Sequence, residues 1–452
     1  AMSCYGSRIN STPNIDRIAN EGLRIDNCFC TNSICAPSRA TILTGKYNHL
    51  NGVRTLDESM DGRQQTFPKL IQQSGYQTAM IGKWHLGHGG NFDPTGFDYW
   101  NVLLGQGEYH NPNFIEMGEN IKLQGYATDI ITDISLDWLK RREKDRPFML
   151  MCHHKAPHRP WEPDDKHMHM YDDLEIQEPE SFNDDYSGHT AAARAARMRI
   201  EELTPTDTKV PAPKDLNTAE NKKWKYQRYI KDYLRCIASI DDNVGRLLDY
   251  LDAEGLAENT IVIYTSDQGF FLGDHGWFDK RFMYEESLRM PFVVRYPAEI
   301  KPGTVTDSMA LNVDFAETFL DYAGIDIPGD MQGFSLRPIF NALTPAGWRT
   351  SVYYRYWMHK DSSHKVYSHY GIRTHQYKLI YYYADKLDTP GPFFPETSAI
   401  PGGPEIPEWE FFDLEKDPLE MHSLYNNPEY AEIIRELKKE LQKQKDEVKD
   451  FA

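Results

Sequence analysis

The sequence predicts an α/β fold, a mixed or parallel sheet flanked by helices, joined to a smaller antiparallel sheet with a terminal helix. Three observations carry this expectation. Helix-periodic segments are repeatedly followed by short apolar runs, the alternation that builds a sheet with helices on its faces. Beyond Pro338 to Gly347 the pattern changes to aromatic strands separated by turns. A lysine- and glutamate-rich segment with one apolar stripe then ends the chain. At 452 residues the chain is too long for one small core, so we expect a larger α/β domain over residues 1–345 and a second unit over 346–452.

Thr12 reads as a cap and Pro13 as the first turn of a short helix that stops at Gly22. A second helix closes over Ile71 to Gly75, and Tyr76 to Gly82 follows as a strand ending in glycine. Ile130, Ile134, Leu136 and Trp138 recur at helical intervals within Asp129 to Arg141, ahead of the apolar run Phe148 to Cys152. The theme repeats: Trp224 to Leu251 is a long amphipathic helix, Thr260 to Thr265 and Pro291 to Tyr296 are short strands, and Asp314 to Ala323 is a further helix. Between Glu162 and Pro213 the chain turns acidic and proline-bearing, which reads as an insertion over the surface and a candidate binding lid. The second unit reads as strands Ser351–Trp357, Tyr370–Thr374 and Tyr377–Tyr383, a loop from Pro390 to Pro407, and a helix over Tyr430 to Lys449 with Ile433, Ile434, Leu437 and Leu441 on its apolar stripe.

A net charge of −18 excludes nucleic acid and anionic membrane as expected partners, because phosphate surfaces select Lys- and Arg-rich faces. An anionic substrate then requires a few cations gathered in one cleft. The six cysteines show no paired zinc spacing. Cys28 and Cys30 share a face if both lie on one strand, where buried inert thiols are expected. No apolar run reaches membrane-spanning length, and Ala1 to Ser7 carry no signal-peptide pattern.

The most informative stretch is Cys35-Ala36-Pro37-Ser38-Arg39-Ala40-Thr41-Ile42-Leu43-Thr44-Gly45. A cysteine at a helix start, with serine and arginine one turn on, suits a thiolate activated at the positive end of a helix dipole; it equally suits a small buried thiol in a turn. The pattern CxPSR followed by LTG resembles the signature of the formylglycine-dependent sulfatase family. That resemblance implies oxidation of Cys35 to formylglycine by a formylglycine-generating or anaerobic sulfatase-maturating enzyme. A sulfate ester is poorly electrophilic and its transition state spreads negative charge over several oxygens, so the chemistry needs a strong oxygen nucleophile and converging cations. The hydrated aldehyde provides two hydroxyls, one to attack sulfur and one whose deprotonation expels sulfate.

The rest of the family pattern follows in order. Gly82-Lys83-Trp84-His85-Leu86-Gly87 resembles the GKWHLG segment, which implies Lys83 on a sulfate oxygen and His85 as base. Arg39 is implied to hold the diol. His158, in the run His153 to Trp161, matches the family histidine beside the ester oxygen, which implies a general acid; a metal cluster is the competing reading of so many histidines, against the spacing of a helical zinc pair. Ser266-Asp267-Gln268-Gly269 resembles the metal-binding turn, with Asp267, Gln268 and the Cys35-derived group as ligands for calcium. Lys280 matches the second sulfate-binding lysine. His275 and Tyr109 are candidate substrate contacts.

The family places a strand ending in two adjacent aspartates ahead of the segment that resembles Cys4 to Asn14. Residues 1–3 do not hold it, so we expect an open sheet edge or gap where it pairs, and weak metal affinity with low activity for the chain by itself. The resemblance implies the alkaline-phosphatase-like fold and a bacterial, periplasmic or secreted sulfatase of sulfated glycans, with a 6-sulfated amino sugar such as N-acetylglucosamine 6-sulfate as the expected substrate. Its rivals are a phosphonate or phosphate ester hydrolase of the same fold and an inactive glycan-binding pseudoenzyme.

Overall fold

A computed structural model describes residues 1–383 and 408–451. Two five-stranded sheets form the larger part. In one, β11 (Thr304–Thr306), β1 (Leu23–Phe29), β10 (Arg289–Arg295) and β7 (Val262–Thr265) lie in that order, with β12 (Ala310–Leu311) also paired to β1. β10 runs antiparallel to both neighbours, whereas β11 and β12 run parallel to β1. The other sheet orders β5 (Glu119–Lys122), β4 (Asn113–Glu116), β3 (Tyr99–Leu103), β2 (Gln77–Lys83) and β6 (Phe148–His153), with β2 parallel to β3 and β6. Every residue of β2 is buried, as a central strand covered on both faces requires.

β6 and β7 are the terminal strands of their sheets, and a cavity of about 1130 Å³ is lined by Met149 to His153 of β6 and Val262 to Thr265 of β7. Both strands are apolar yet only half-buried along their length. The polar end of this cavity carries Arg39, Lys83, His158, Asp267, Gln268 and Lys280.

The helix Thr218–Ala253 is capped at both bonds of an Asn217–Glu220 box. It packs against the helices Pro13–Asn20 and Ala127–Arg141. Thr12 does not cap the Pro13 helix as expected; its hydroxyl turns back to Ser3 and Asp16. The orphan N–H groups of Asn14 and Ile15 instead donate to Asp241 on the long helix, at 3.1 and 2.8 Å. A tertiary contact replaces the local cap.

The insertion is not the surface lid expected. Ile176, Phe182, Met198 and Ile200 are at most 3 % exposed and join the main core. That core is continuous from Ile15 to Leu441, so it crosses the expected boundary at residue 345. Within 346–452, β13 (Ser351–Tyr356), β14 (His369–Thr374), β15 (Tyr377–Tyr382) and β16 (Glu408–Asp413) form an antiparallel meander. The closing helix Ala431–Glu447 buries Ile434, Leu437 and Leu441 against it. The strand β16 was not expected, and the expected loop Pro390 to Pro407 lies outside the described residues.

Glu317 is a fold-level titration device. It lies fully buried on the helix Asp314–Tyr322, accepting a 2.6 Å bond from the Gly333 N–H while its other oxygen has no partner. Burial, reinforced by Asp314, pushes its carboxyl up to about 8. The folded state therefore holds a proton that the unfolded chain releases near its ordinary value, and stability falls as pH rises from about 4.5 towards 8. Glu317→Gln keeps the acceptor and removes the charge. We expect it to stabilise the protein by about 1–3 kcal/mol at pH 7 and by little at pH 4, as read from urea unfolding at the two pH values.

Candidate active site

Cys35 is the first residue of the helix Cys35–Thr44 and is 2 % exposed. Two neighbours anchor its approach: the Ser33 hydroxyl donates to the Ser287 carbonyl at 2.6 Å, and the Ser33 N–H reaches the Tyr354 hydroxyl at 3.2 Å. The Ser38 hydroxyl donates to the Asp267 carbonyl and accepts from Asn312. The CxPSR pattern thus encodes a helix start pinned to three other segments.

Arg39 gathers the ends of three strands. Its guanidinium donates to the Asp267 carboxylate at 3.0 Å, to the Lys83 carbonyl at 2.6 Å, and to His153 Nδ1 at 3.2 Å. Lys83 ends β2, His153 ends β6, and Asp267 follows β7, so chemistry collects at carboxyl ends of strands, as α/β sheets favour. Gly82 makes the approach possible. It adopts φ +97°, and a Cβ there would lie 2.0 Å from the His153 carbonyl oxygen.

The electrostatics single out one cysteine. Burial pushes the thiols of Cys4, Cys28, Cys30, Cys152 and Cys236 up. It acts on Cys35 too, but the ammonium groups of Lys280 and Lys83 and a hydrogen bond with His158 outweigh it and bring the thiol down to about 5. Lys83 is 3 % exposed, and among the described residues no carboxylate is paired with it. Its burial lowers it to about 8. Lys280 has Asp279 at 3.6 Å; burial lowers it, but Asp279 and Cys35 more than compensate. The site is a desolvated cationic hollow, short of negative charge.

The histidines around it are neutral. His85 has a left-handed backbone, φ 56°, and an unpartnered Nδ1, and burial with Lys83 beside it lowers it to about 2. His158 donates from Nδ1 to the Arg159 carbonyl at 2.8 Å, and burial lowers it to about 3. That bond occupies Nδ1 and leaves the other ring nitrogen to pair with Cys35.

Cys35, Arg39, Lys83, His85, His158, Asp267, Gln268 and Lys280 are therefore brought together. His275 and Tyr109 are not part of the hollow, which corrects the sequence expectation. His275 is fully buried and bonded to Asp184 at 2.9 Å, and Tyr109 is 1 % exposed with its hydroxyl on the His158 carbonyl at 2.6 Å. Tyr109 braces the backbone that carries His158. Sequence reasoning missed Lys155, a buried cation over the Tyr109 ring whose burial lowers it to about 8; its position two residues beyond β6 was the available signal.

Asp267 and Gln268 offer hard oxygens, and Gln268 Oε1 is buried with no partner. These donors suit calcium in kind but are two of the six to eight it takes. Among the described residues, the cluster of metal-ligating side chains lies elsewhere, at Asp184, His189 and His275. One nitrogen of each imidazole is hydrogen-bonded to Asp184, at 2.8 and 2.9 Å, whereas His275 Nε2 is buried without a partner.

Comparison with known proteins matches this arrangement. The sulfatase family model covers residues 1–325, and the model described as N-sulphoglucosamine sulphohydrolase, C-terminal, covers 273–389 and 404–447. An N-acetylglucosamine-6-O-sulfatase of Bacteroides thetaiotaomicron is 44 % identical over the whole chain and 84 % of its own length. The human N-acetylglucosamine-6-sulfatase is 30 % identical over 75 % of the chain and 62 % of its own length. A solved structure of a protein in complex with its substrate D-glucosamine-2-N,6-O-disulfate superposes with a TM-score of 0.90 at 44 % identity, over all of this chain and 96 % of that one. A phosphonate monoester hydrolase of Agrobacterium radiobacter shares the fold, with a TM-score of 0.76 at 18 % identity over 99 % of this chain and 93 % of its own. With a family model matched over more than half its length and a cationic hollow built by that family's motifs around Cys35, the chain belongs to the sulfatase family.

Proposed function

We propose that this protein hydrolyses the 6-sulfate ester of an amino sugar of the glucosamine type, at formylglycine made from Cys35. The observation that carries the reading is the contrast among six cysteines: one alone lies against two buried lysines, and its thiol alone is drawn down rather than up. Surroundings that stabilise a thiolate stabilise an oxyanion and a sulfate equally. The match to a glucosamine 6-O-sulfatase supports the sugar.

When formed, the aldehyde supplies, as its hydrate, the oxygen nucleophile that a thiol lacks. Lys83 and Lys280 bind sulfate oxygens and take up the charge that spreads over them in the transition state. Arg39 holds the Asp267 carboxylate and the ends of β2 and β6 in register. The unpartnered Nδ1 of His85 accepts a proton. His158 is neutral in the resting hollow and takes up a proton as the anionic ester enters, which it then gives to the leaving alcohol oxygen. Asp267 and Gln268 are the calcium ligands this chain offers. Residues 1–345 carry these groups, and 346–452 brace them. The protein acts on sulfated carbohydrate in the periplasm or outside the cell, after a maturating enzyme has oxidised Cys35; no described helix is long and apolar enough to cross a membrane.

The test is the peptide mass across Cys35 in protein produced with a maturating enzyme, followed by turnover on glucosamine 6-sulfate and a matched phosphate ester. We expect a loss of about 18 Da against the thiol and preference for the sulfate ester. Full turnover with an unmodified thiol refutes the mechanism, and preference for phosphate moves the assignment to the phosphoester class.

A further inference from the structure

Lys280 sits on a strained and heavily supported segment. The residues on either side, Asp279 and Arg281, have φ of 76° and 95°, a left-handed conformation that bulky residues hold only where their surroundings over-determine it. The surroundings come from the second unit. The Tyr354 hydroxyl donates to the Arg281 carbonyl at 2.7 Å, and the Arg281 guanidinium donates to the Tyr356 hydroxyl at 2.9 Å.

Behind the lysine runs a file of charges, buried at Asp279 and partly buried at His364 and Asp361. The Asp279 carboxylate accepts from the Lys280 backbone N–H at 2.8 Å, while the Lys280 ammonium stands 3.6 Å away, beyond hydrogen-bond distance. The other oxygen of Asp279 lies 3.3 Å from His364 Nε2, and His364 Nδ1 lies 2.8 Å from Asp361. His364 Nδ1 donates to Asp361 and Nε2 stands in ion-pair range of Asp279, so a carboxylate at each ring nitrogen favours the charged imidazole. Lys280 lines the cavity, whereas Asp279, His364 and Asp361 do not.

We propose that His364 and Asp279 are positioning residues for Lys280: the file Asp361–His364–Asp279 draws the Asp279 carboxylate backwards and leaves the lysine ammonium free for a sulfate oxygen. The inference rests on the sulfate-ester reading of the hollow. Without the imidazolium, Asp279 is left with Lys280 at 3.6 Å and Arg281, whose guanidinium is already held by Tyr356, at 3.8 Å, and closes on the lysine in competition with the substrate. The charged groups facing Lys280 are Asp279, Cys35, Arg281, Asp267 and Lys83; those facing His364 are Asp279, Asp361 and Arg281.

The test compares His364→Gln, Asp279→Asn and the double variant in the full, matured chain. Inorganic sulfate affinity is measured by calorimetry, kcat and KM on glucosamine 6-sulfate, and Tm in parallel. His364→Gln is expected to weaken sulfate binding about tenfold and to raise KM by a similar factor, with a smaller change in kcat. Adding it to Asp279→Asn is expected to change sulfate affinity no further, because His364 acts through that carboxylate. Additive effects, or a lowered Tm with unaltered sulfate affinity, overturn the proposal. If His364→Gln does not fold, Asp361→Asn tests the next link and must weaken sulfate binding in the same sense. Sulfate affinity needs no turnover, so a parent that binds sulfate but hydrolyses no ester refutes the function while still scoring the file; a parent that binds no sulfate overturns both.

Discussion

Replacing Cys35 by alanine is expected to lower sulfate-ester turnover by at least about 10⁴-fold, the scale on which enzymes lose rate when a nucleophile is removed. The fold should be unaffected, since Cys35 contributes a small side chain at a helix start that is pinned through Ser33, Ser38 and Arg39 instead. Serine at this position separates the two halves of the chemistry. Its hydroxyl can attack sulfur once, but it has no second hydroxyl from which to expel the sulfate. Mass spectrometry of Cys35→Ser after incubation with substrate should therefore find one sulfonyl group retained on the peptide, with at most one equivalent of alcohol released. Continued turnover by the serine variant would show that expulsion of sulfate does not need the aldehyde.

Lys83→Ala should cost about 10²–10³-fold in kcat/KM, in the range of removing one preorganised donor from a developing anion. It has a second, independent readout in protein that has not been matured. The Cys35 thiol, held at about 5 beside Lys280 and Lys83, should titrate at a higher pH in the variant, as followed by thiolate absorbance. The linkage has a definite sign. A thiol lowered on folding adds stability that is fully present above its ordinary value near 9 and is lost as pH falls through about 5. Lys83→Ala should shrink that pH-dependent contribution. A thiol that titrates unchanged would mean that the two charges do not share one desolvated hollow.

The site was legible in the sequence wherever its residues lie in short runs with a fixed order. Cys35 with Arg39, Lys83 with His85, and Asp267 with Gln268 each belong to one strand end or helix start, so spacing along the chain carries their geometry. His275 and Tyr109 were misread for the opposite reason. Both stand beside motif residues in sequence, but the one packs among Trp277, Phe271 and Tyr284 and the other beneath the His158 backbone. Which way a side chain points is decided by packing that sequence proximity does not encode. The file behind Lys280 was also hidden, because His364 and Asp279 are brought together across the two units.

The sequence by itself determined the α/β alternation, the aromatic meander, the order of the family's motifs and the place of Cys35 within them, since periodicity and motif spacing are local properties of the chain. Only the tertiary structure decided that Asp241 rather than Thr12 caps the first helix, that the acidic insertion is packed into the core, and that Lys83, buried with no ion-paired carboxylate among the described residues, joins Lys280 in drawing one thiol down. Those outcomes depend on desolvation and on charges from distant segments, and both exist only once the chain has closed around them.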